Sequence, residues 1–311
     1  MRISQLRDLV AVVDHGSIRG AARVLGVAPP ALSRNIRQLE EELNVQLLQR
    51  LARGVVPTAR GKGFLARARI VQNEIARARD ELSQSGDEAT GSVFFGVSAS
   101  SGILLVPTAL ARFQQERPNT MIRIQEGLPQ QLMPLLRDGT LDFILGPRVH
   151  GHNDPDIRIL PVHRNDFVVV ARRGHPLRNA KALFDLAQAR WVIFAQAGLP
   201  GSIIPELFEG SGLSAPKSVV HCESYTTMLA LLAGTDMLGV VTRWLLDLPH
   251  VNIVLEPLKL KERIPANTVS LFFKADSPLT PAAAAMVAAV KTTGRQLART
   301  DRNSGSLRHI A

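Results

Sequence analysis

The 311-residue sequence has little cysteine, few aromatic side chains and no long apolar run. Because Cys222 is its only cysteine, an internal disulfide and a metal site built from several thiolates are both excluded, and a buried, unreactive thiol is the simplest interpretation. No stretch reaches the roughly 20 apolar residues of a membrane-spanning helix, and the amino terminus lacks the apolar core of a secretory signal. The sequence therefore predicts a cytoplasmic protein with no membrane partner.

Motifs typical of enzymes are also scarce. The sequence contains no Gly-x-Ser-x-Gly elbow, no phosphate-binding glycine loop and no interpretable pair of acid and base carboxylates. The stretch Ser214–Lys217 matches Ser-x-x-Lys without its accompanying motifs, and the run His150–Asp156 (HGHNDPD) is more typical of an exposed loop than of a metal site. We therefore expect no enzyme activity and no cofactor; an enzyme built on the carboxy-terminal part stays an alternative, which measured turnover would support.

The charge is unevenly distributed along the chain. The hydrophobic fraction of 45% and charged fraction of 21% are typical of a folded protein, and the length suggests two or three domains. The formal net charge is +10, and residues 1–70 hold 12 Lys or Arg against 5 Asp or Glu, whereas residues 71–311 hold 25 against 22. A positive field concentrated in the first quarter of the chain favours a polyanionic partner such as nucleic acid.

The first 43 residues have the pattern of a helix-turn-helix. Apolar spacing predicts a helix over Ile3–Val13 and a second over Ile18–Leu25, which Ser17 is placed to cap. The short turn Gly26–Ala28 follows, and Pro29 suits the first turn of a third helix. The second helix of such a pair is the one that enters the major groove of DNA.

A hairpin and a long helix follow this unit. Two short apolar segments around Arg53-Gly54 predict a β-hairpin wing, whose tip would reach a phosphate or the adjacent minor groove through Arg53. Thr58 is placed to cap a helix over about Ala59–Ser83, which is longer than a small winged-helix domain can cover. We expect the extra length to pack on the same helix of a second subunit.

After a polar linker that ends at Gly91, short apolar strands alternate with helical segments. This alternation predicts a largely parallel sheet covered on both faces, in which ligands bind at the carboxyl ends of the strands. The expected strands are Val93–Val97, Ile122–Gln125, Asp142–Leu145, Phe167–Ala171, Trp191–Phe194, Ser218–His221, Leu238–Val241 and Val269–Phe273.

Three separate motifs resemble the DNA-binding signature of the LysR-type transcriptional regulators. They are the string Gly16–Arg34 (GSIRGAARVLGVAPPALSR), the run Ile36–Glu40 (IRQLE) and the stretch Arg50–Gly61. A looser similarity continues to about Lys274. The resemblance implies a sequence-specific DNA-binding regulator that forms a homodimer or homotetramer, binds an interrupted palindrome near a promoter and contacts RNA polymerase.

The resemblance also implies a division into three parts, within an α/β fold. A winged helix-turn-helix DNA-binding domain would take residues 1–58, and a linker or dimerisation helix with its hinge would take residues 59–90. A two-lobed, periplasmic-binding-protein-like effector domain would take residues 91–311, with lobe I at about 91–162 and 267–311 and lobe II at about 163–266. A small effector between the lobes would alter DNA binding or promoter activation.

Two departures from the family pattern affect the residues expected to read DNA. Family members usually carry Ser or Thr and then Gln before the Pro of the recognition helix, whereas this chain has Ala28 and Pro29. The changes remove a helix cap of about 1 kcal/mol and a bidentate base contact. A small-molecule-binding protein with a weakened, non-specific DNA-binding head is therefore the alternative. The expected DNA-binding residues are Pro30, Ser33, Arg34, Arg37, Arg50, Arg53 and Thr58.

Candidate effector residues follow the first strand after the linker. Ser98, Ser100 and Ser101 begin a helix, and hydroxyls with free N–H groups at a helix start suit a carboxylate or phosphate. By the resemblance, the ligand-contacting hydroxyls of the family fall on Ser98 and Ser100. The alternative is that these residues serve only as turn and capping residues.

Four further residues complete the expected effector site. Leu128 stands where the family often has Ser or Thr, which favours an effector with an apolar part. Arg148 lies near the first crossing between the lobes, where it would pair with an anion, and Ser202 and Thr242 would face the cleft from lobe II. The sequence therefore predicts a small, anionic organic effector.

Overall fold

The computed structural model describes residues 1–51, 54–83, 91–148, 154–194, 203–217 and 219–307. Its chain divides into two compact units. The first unit contains Met1–Gly96, Glu116–Ile144 and Asp276–Ala285, and the second contains Val97–Gln115, Leu145–Ala275 and Met286–Ala311. No helix within the described ranges is long and apolar enough to cross a bilayer.

Three amino-terminal helices form the expected helix-turn-helix arrangement: α1 (Ile3–Asp14), α2 (Ile18–Leu25) and α3 (Pro29–Leu43). Ser17 caps α2, since its Oγ accepts a hydrogen bond from the Gly20 N–H at 3.0 Å. Gly26 ends α2 in the left-handed conformation, with φ of 66°. Because glycine adopts this conformation without steric cost, the chain turns at once into α3.

The inner faces of these helices enclose one apolar core, which includes Leu9, Val12, Ala21, Ala22, Leu32, Ile36 and Leu39. A buried charge also joins α1 to α3. Asp8 is 1% exposed, and its carboxylate accepts hydrogen bonds from Asn35 Nδ2 at 2.7 Å and from Arg7 Nη2 at 2.9 Å. A buried carboxylate is tolerated only when it is paired in this way, so the contact specifies how the two helices pack.

The expected wing is an antiparallel hairpin of β1 (Leu48–Leu51) and β2 (Gly54–Pro57). Glu40 of α3 holds its base, because the Oε1 atom accepts the backbone N–H groups of Leu47 at 2.7 Å and Leu48 at 3.0 Å. Hydrogen bonds to a charged acceptor are stronger than those between neutral groups. The wing therefore begins at a point set by the recognition helix.

The second strand of the wing contacts the loop between α1 and α2. The Val55 N–H donates to the Gly16 carbonyl oxygen at 2.8 Å. A Cβ at Gly54 would lie 2.5 Å from the same oxygen, and its φ of 138° is also unfavourable for other residues. Glycine is therefore required at position 54 for the wing to approach this loop.

The long helix α4 (Ala59–Ser83) has the bounds expected from the sequence. In its carboxy-terminal half, Asn73 Nδ2 donates to the Asp138 carbonyl oxygen at 2.8 Å, and Arg77 Nη1 donates to Ser277 Oγ at 2.9 Å. Arg77 Nη2 also lies 3.4 Å from Asp142 Oδ1. Burial raises the pKa of the Asp142 carboxyl, although its backbone hydrogen bond and Arg77 act in the opposite direction. The end of α4 is therefore bonded to residues far along the chain.

The rest of the described chain alternates between strands and helices. Its strands are β3 (Gly91–Val97), β4 (Thr120–Glu126), β5 (Phe143–Pro147), β6 (Ile157–Asn165), β7 (Phe167–Arg172), β8 (Arg190–Phe194), β9 (Val219–Cys222), β10 (Met237–Thr242), β11 (Leu255–Pro257) and β12 (Asn267–Lys274). Its helices are α5 (Ala99–Glu116), α6 (Pro129–Arg137), α7 (Ile203–Gly210), α8 (Tyr225–Gly234), α9 (Pro249–Asn252) and α10 (Pro281–Leu307), with 3-10 helices at Leu183–Leu186 and Arg243–Asp247.

These strands form two five-stranded sheets, in the orders β4-β3-β5-β12-β6 and β11-β7-β10-β8-β9. Strand β8 runs parallel to β9 and β10, but β7 is antiparallel to β10 and β11, and β12 is antiparallel to β6. In the second sheet β8, β9, β10 and β11 therefore run in one direction and β7 opposes them, so the expectation of a largely parallel sheet is confirmed there.

Strands β6 and β11 are not expected from the sequence pattern. The nine-residue β6 contains Pro161, and its pairing with β12 shifts register between Val269 and Ser270. A proline and a bulge both disturb the two-residue alternation that indicates a strand.

Apolar side chains cover both faces of the sheet that contains β8. Because successive strand residues point to opposite faces, one core takes Val169, Trp191 and Leu238 and the other takes Val168, Val192 and Val241. The carboxyl end of β10, where the candidate effector residue Thr242 lies, is therefore supported from both sides.

Candidate nucleic-acid interface and effector site

The solvent-facing side of α3 carries three of the expected DNA-binding residues. Pro30, Arg34 and Arg37 are exposed, whereas Leu32 and Ile36 on the opposite side are buried. Residues three apart on a helix are neighbours, so the two arginines lie side by side. Within the described part of the chain neither forms an ion pair, so both guanidinium groups are free to contact bases or phosphates.

Ser33 of α3 is joined directly to Arg50 of the wing. Arg50 Nη2 donates to Ser33 Oγ at 3.1 Å across 17 residues of sequence. A guanidinium group has five N–H donors, so this bond leaves others that can reach a phosphate. The two expected DNA-binding residues therefore form one unit, in which the serine orients the arginine.

The start of α3 shows the effect of the departure at position 28. Ala28 is the N-cap residue and makes no side-chain hydrogen bond to the first turn. Pro29 and Pro30 occupy that turn, where the absence of an N–H group costs nothing because these groups have no partner within the helix. The prolines therefore start the helix without the usual hydroxyl.

The hydroxyl of Thr58 is used inside the protein. It donates to the Gln46 carbonyl oxygen at 2.8 Å and accepts from the Gly61 N–H at 2.9 Å, which caps α4. A DNA contact through this hydroxyl stays a prediction. Arg53, expected at the tip of the wing, lies outside the described residues.

Two of the expected effector serines bond to each other at the start of α5. Ser98 is 8% and Ser101 1% exposed, and Ser98 Oγ donates to Ser101 Oγ at 2.8 Å. The Ser98 N–H donates to the Leu145 carbonyl oxygen at 2.9 Å, while Ser100 is half-buried and points elsewhere on the helix. The intervening Ala99 packs in the core cluster that also contains Tyr225.

Thr242 lies at the carboxyl end of β10 and faces a residue that the sequence does not single out. The hydroxyls of Thr242 and Tyr225 are both buried, and neither has a hydrogen-bond partner of good geometry among the residues that the structure describes. They lie close enough for the Thr242 hydroxyl to favour the ionised phenol, but burial dominates and raises the pKa of Tyr225. The ring of Phe194, at the carboxyl end of β8, meets Tyr225 edge-on with 5.2 Å between centroids.

These contacts define what the site can do chemically. Even if one hydroxyl bonded to the other, one O–H group would remain without an acceptor. An unpaired buried hydroxyl costs about 1–3 kcal/mol, which a ligand oxygen that accepts the bond would recover. Tyr225 could not have been found from the sequence, because 17 positions separate it from Thr242 and only the β9–α8–β10 connection brings them together.

The remaining candidates are dispersed. Arg148 is exposed, and its backbone N–H donates to the Thr268 carbonyl oxygen at 2.9 Å. Leu128 belongs to the first compact unit, where it is half-buried and precedes α6. Ser202 and the histidines of the run 150–152 lie outside the described residues, and no cluster of metal ligands occurs among the residues that are described.

Comparison with known proteins agrees with this geometry. Residues 3–62 match the model of the bacterial regulatory helix-turn-helix protein, lysR family, and residues 86–295 match that of the LysR substrate binding domain. The first match covers the helix-turn-helix, the wing and the start of α4. The second covers both five-stranded sheets.

Curated relatives are similar over nearly the whole chain. The transcriptional regulator GbpR of Azospirillum brasilense is 28% identical over 94% of this chain and 86% of its own length. The SDS degradation transcriptional activation protein of a Pseudomonas species is 29% identical over 91% of this chain and 94% of its own length.

Solved structures share the fold. A full-length OxyR variant from Pseudomonas aeruginosa superposes with a TM-score of 0.69, at 21% identity and 95% coverage of both chains. Full-length CbnR in complex with its target DNA superposes with a TM-score of 0.68, at 22% identity over 94% of this chain and all of that one.

Proposed function

Since this chain belongs to the LysR family of DNA-binding transcriptional regulators, we propose that residues 1–58 recognise an interrupted palindrome near a promoter, and that residues 91–311 sense a small, anionic organic effector. Residues 59–90 would join the two parts and pair subunits. The chain is a regulator rather than an enzyme, and the effector would change DNA binding or the contact with RNA polymerase. A ligand shifts such an equilibrium only by its different affinity for the two states.

The observation that carries the DNA-binding proposal is the exposure of Arg34 and Arg37, which form no ion pair with the described residues. Beside them, Arg50 is bonded to Ser33. Arginine is the commonest side chain that reads guanine in the major groove. Its exposure on the second helix of the helix-turn-helix supports base contact there, while Arg50 in the wing supports phosphate contact.

Selection of bound sequences from randomised duplex DNA, with the full-length protein at fixed salt, tests this proposal. Enrichment of an interrupted palindrome is expected, and Arg34→Ala should weaken binding to it by roughly 1–3 kcal/mol and relax sequence preference. Arg123→Ala, at an exposed site on β4, is the matched control and should bind like the parent. Failure to enrich any sequence, with and without candidate organic anions, would refute sequence-specific recognition.

A double-mutant cycle separates the wing contact from base reading. Ser33→Ala and Arg50→Gln each remove the 3.1 Å bond, so their effects on DNA affinity should not add. Additive effects would show that Ser33 and Arg50 contact DNA independently.

Pairing of subunits through α4 is supported by its exposed apolar side chains. Val71 is 42% and Leu82 78% exposed. The other side of this helix packs against α1 and the residues around Asp142. Burial of such side chains against a second copy would stabilise a dimer. Val71→Glu should lower the mass measured by light scattering, and an unchanged mass would contradict pairing through this face.

The effector proposal is supported by hydroxyls at the start of α5 and the end of β10. Ser101 and Thr242 supply O–H donors that suit a carboxylate, Ser98 holds Ser101 through its own O–H group, and the exposed Arg148 supplies a cation. Calorimetric titration of the full-length protein with a panel of organic acids and matched neutral amides is the test. A preference for amides would refute an anionic effector.

A weakened, non-specific head is the second candidate, and the uncapped Ala28 favours it. Ala28→Ser should restore a cap of about 1 kcal/mol. If the parent binds all duplexes alike and the variant gains sequence preference, this second candidate is correct.

A further inference from the structure

Basic residues of the carboxy-terminal part are concentrated in two short segments. Residues 172–190 and 258–264 together hold eight Lys or Arg and two Asp or Glu, while the rest of residues 71–311 hold 17 and 20. The positive excess beyond residue 70 therefore lies in these segments alone.

The segment 258–264 (LKLKERI) places its cations on one side. Leu258, Leu260 and Ile264 pack into the core beneath the sheet of β8, whereas Lys259, Lys261 and Arg263 are exposed, so inward and outward residues alternate. The three cations, which we call the basic row, therefore lie on the solvent side of a segment whose apolar side chains pack into the core.

The second segment lies directly beside the basic row. The Lys261 N–H donates to the Lys181 carbonyl oxygen at 2.9 Å, and both side chains are exposed, as is Arg178. Asp185 is the nearby acid, but its carboxylate accepts the N–H groups of residues 181 and 182, and these bonds, more than Lys261, lower its pKa.

The acid inside the row is partly buried. Glu262 is half-buried and its Oε2 atom is fully buried, so one oxygen of this carboxylate faces the interior. None of Lys259, Lys261 and Arg263 forms a salt bridge with any residue that the structure describes. Within the described residues, these three cations are therefore held by no ion pair, although Asp185 lies close enough to Lys261 to interact with it.

We infer that the basic row, with Lys181 and Arg178, binds DNA phosphates outside the sequence that the helix-turn-helix reads. The inference rests on the proposed function, which supplies DNA to the bound protein. Exposed, closely grouped cations that form no ion pair with the described residues fit a polyanion, and phosphate contacts need no base recognition. Phe184 is 72% exposed on the adjoining 3-10 helix, which makes an acidic peptide with apolar residues the competing occupant.

Counterion release gives a quantitative test. The triple variant Lys259→Gln, Lys261→Gln and Arg263→Gln is compared with the parent on two duplexes, one limited to the selected site and one extended by roughly 30 base pairs on each side. The slope of log K against log salt changes by about 0.9 for each phosphate that the protein no longer neutralises. We expect the slope for the triple variant to be less steep than that of the parent by up to about 2.7 on the long duplex. On the short duplex the two slopes should be equal.

Matched variants and a second probe make each outcome decisive. A triple Gln variant at the exposed Arg123, Lys217 and Arg295 has the same net charge and should keep the parental slope on both duplexes. Unchanged binding to the short duplex shows that the row variant is folded. Equal slopes for the row variant and the parent on the long duplex would overturn the inference.

The remaining outcomes separate this inference from the proposed function and from the competing occupant. Absence of specific binding to the short duplex by the parent would refute the proposed function itself. If a fluorescent peptide of alternating Glu and Leu binds the parent but not the row variant, while the long-duplex slopes agree, the surface binds an acidic protein and not DNA.

Discussion

Alanine at Gly61 would test how closely the base of the wing packs on α4. A Cβ at this position would lie 1.9 Å from the Leu47 carbonyl oxygen and 2.8 Å from its carbon, and backbone atoms cannot rotate away. The same oxygen accepts the Thr58 N–H at 2.9 Å. Overpacking costs about 1–3 kcal/mol and a disturbed hydrogen bond about 1 kcal/mol, against about 1 kcal/mol gained in helix propensity. We expect a net loss of about 1–3 kcal/mol.

Gly63→Ala is the matched control, two residues further along the same helix. A Cβ there meets nothing within 4 Å. Only the helix propensity then changes, so this variant should be more stable than the parent by about 0.5–1 kcal/mol. The two substitutions are chemically identical but are expected to act in opposite directions.

Amide hydrogen exchange in the full-length protein is the assay, because residues 1–58 contain no Trp or Tyr that would report on this region by fluorescence. Since about 1.4 kcal/mol corresponds to a tenfold change, amides of residues 46–51 should exchange roughly 5 to 150 times faster in Gly61→Ala. Exchange as slow in Gly61→Ala as in Gly63→Ala would refute the reasoning, because the wing would then be free to move away from α4.

Three further predictions concern single polar groups. Thr242→Val and Tyr225→Phe should each stabilise the effector-free protein by up to roughly 1 kcal/mol, because each removes a buried hydroxyl that has no partner among the described residues. Both should also weaken carboxylate binding in calorimetry. A lower Tm for both variants would contradict this prediction. Thr58→Ala should lower the opening free energy of the first turn of α4 by about 1 kcal/mol and so speed amide exchange there, whereas Thr58→Ser should not. Because the pKa of Asp142 is raised on folding, its contribution to stability is complete below about pH 3.9 and is lost as the pH rises through the folded-state value. The difference in urea midpoint between parent and Asp142→Asn should therefore change over this range, and a constant difference would show that Asp142 titrates normally.

The amino-terminal part could be predicted because its determinants are local. Ser17, Gly26 and Pro29 specify the ends of α2 and the start of α3 within a few residues, and apolar spacing indicates the buried faces. The same reasoning predicts both bounds of α4. Helix ends that depend on caps and turns can be predicted from a single sequence.

Strand β6 and the polar contacts could not be predicted because their determinants are distant in sequence. Strand β6 is stabilised by pairing with β12, more than 100 residues away, despite Pro161 within it. The contact of Arg77 with Asp142 and that of Tyr225 with Thr242 depend on how elements fold back, which no local pattern encodes. The serines at the start of α5 could be singled out because the family resemblance and the helix start both mark their position.

The bonded end of α4 has a consequence for engineering. Asn73 and Arg77 stand on the helix that leaves the DNA-binding head, yet their side chains bond to Asp138, Asp142 and Ser277. A chimera that exchanges the head for that of a relative should therefore cross over between residues 58 and 73. A crossover after residue 83 would import a foreign helix without these partners and leave the Asp142 carboxylate buried without its cation.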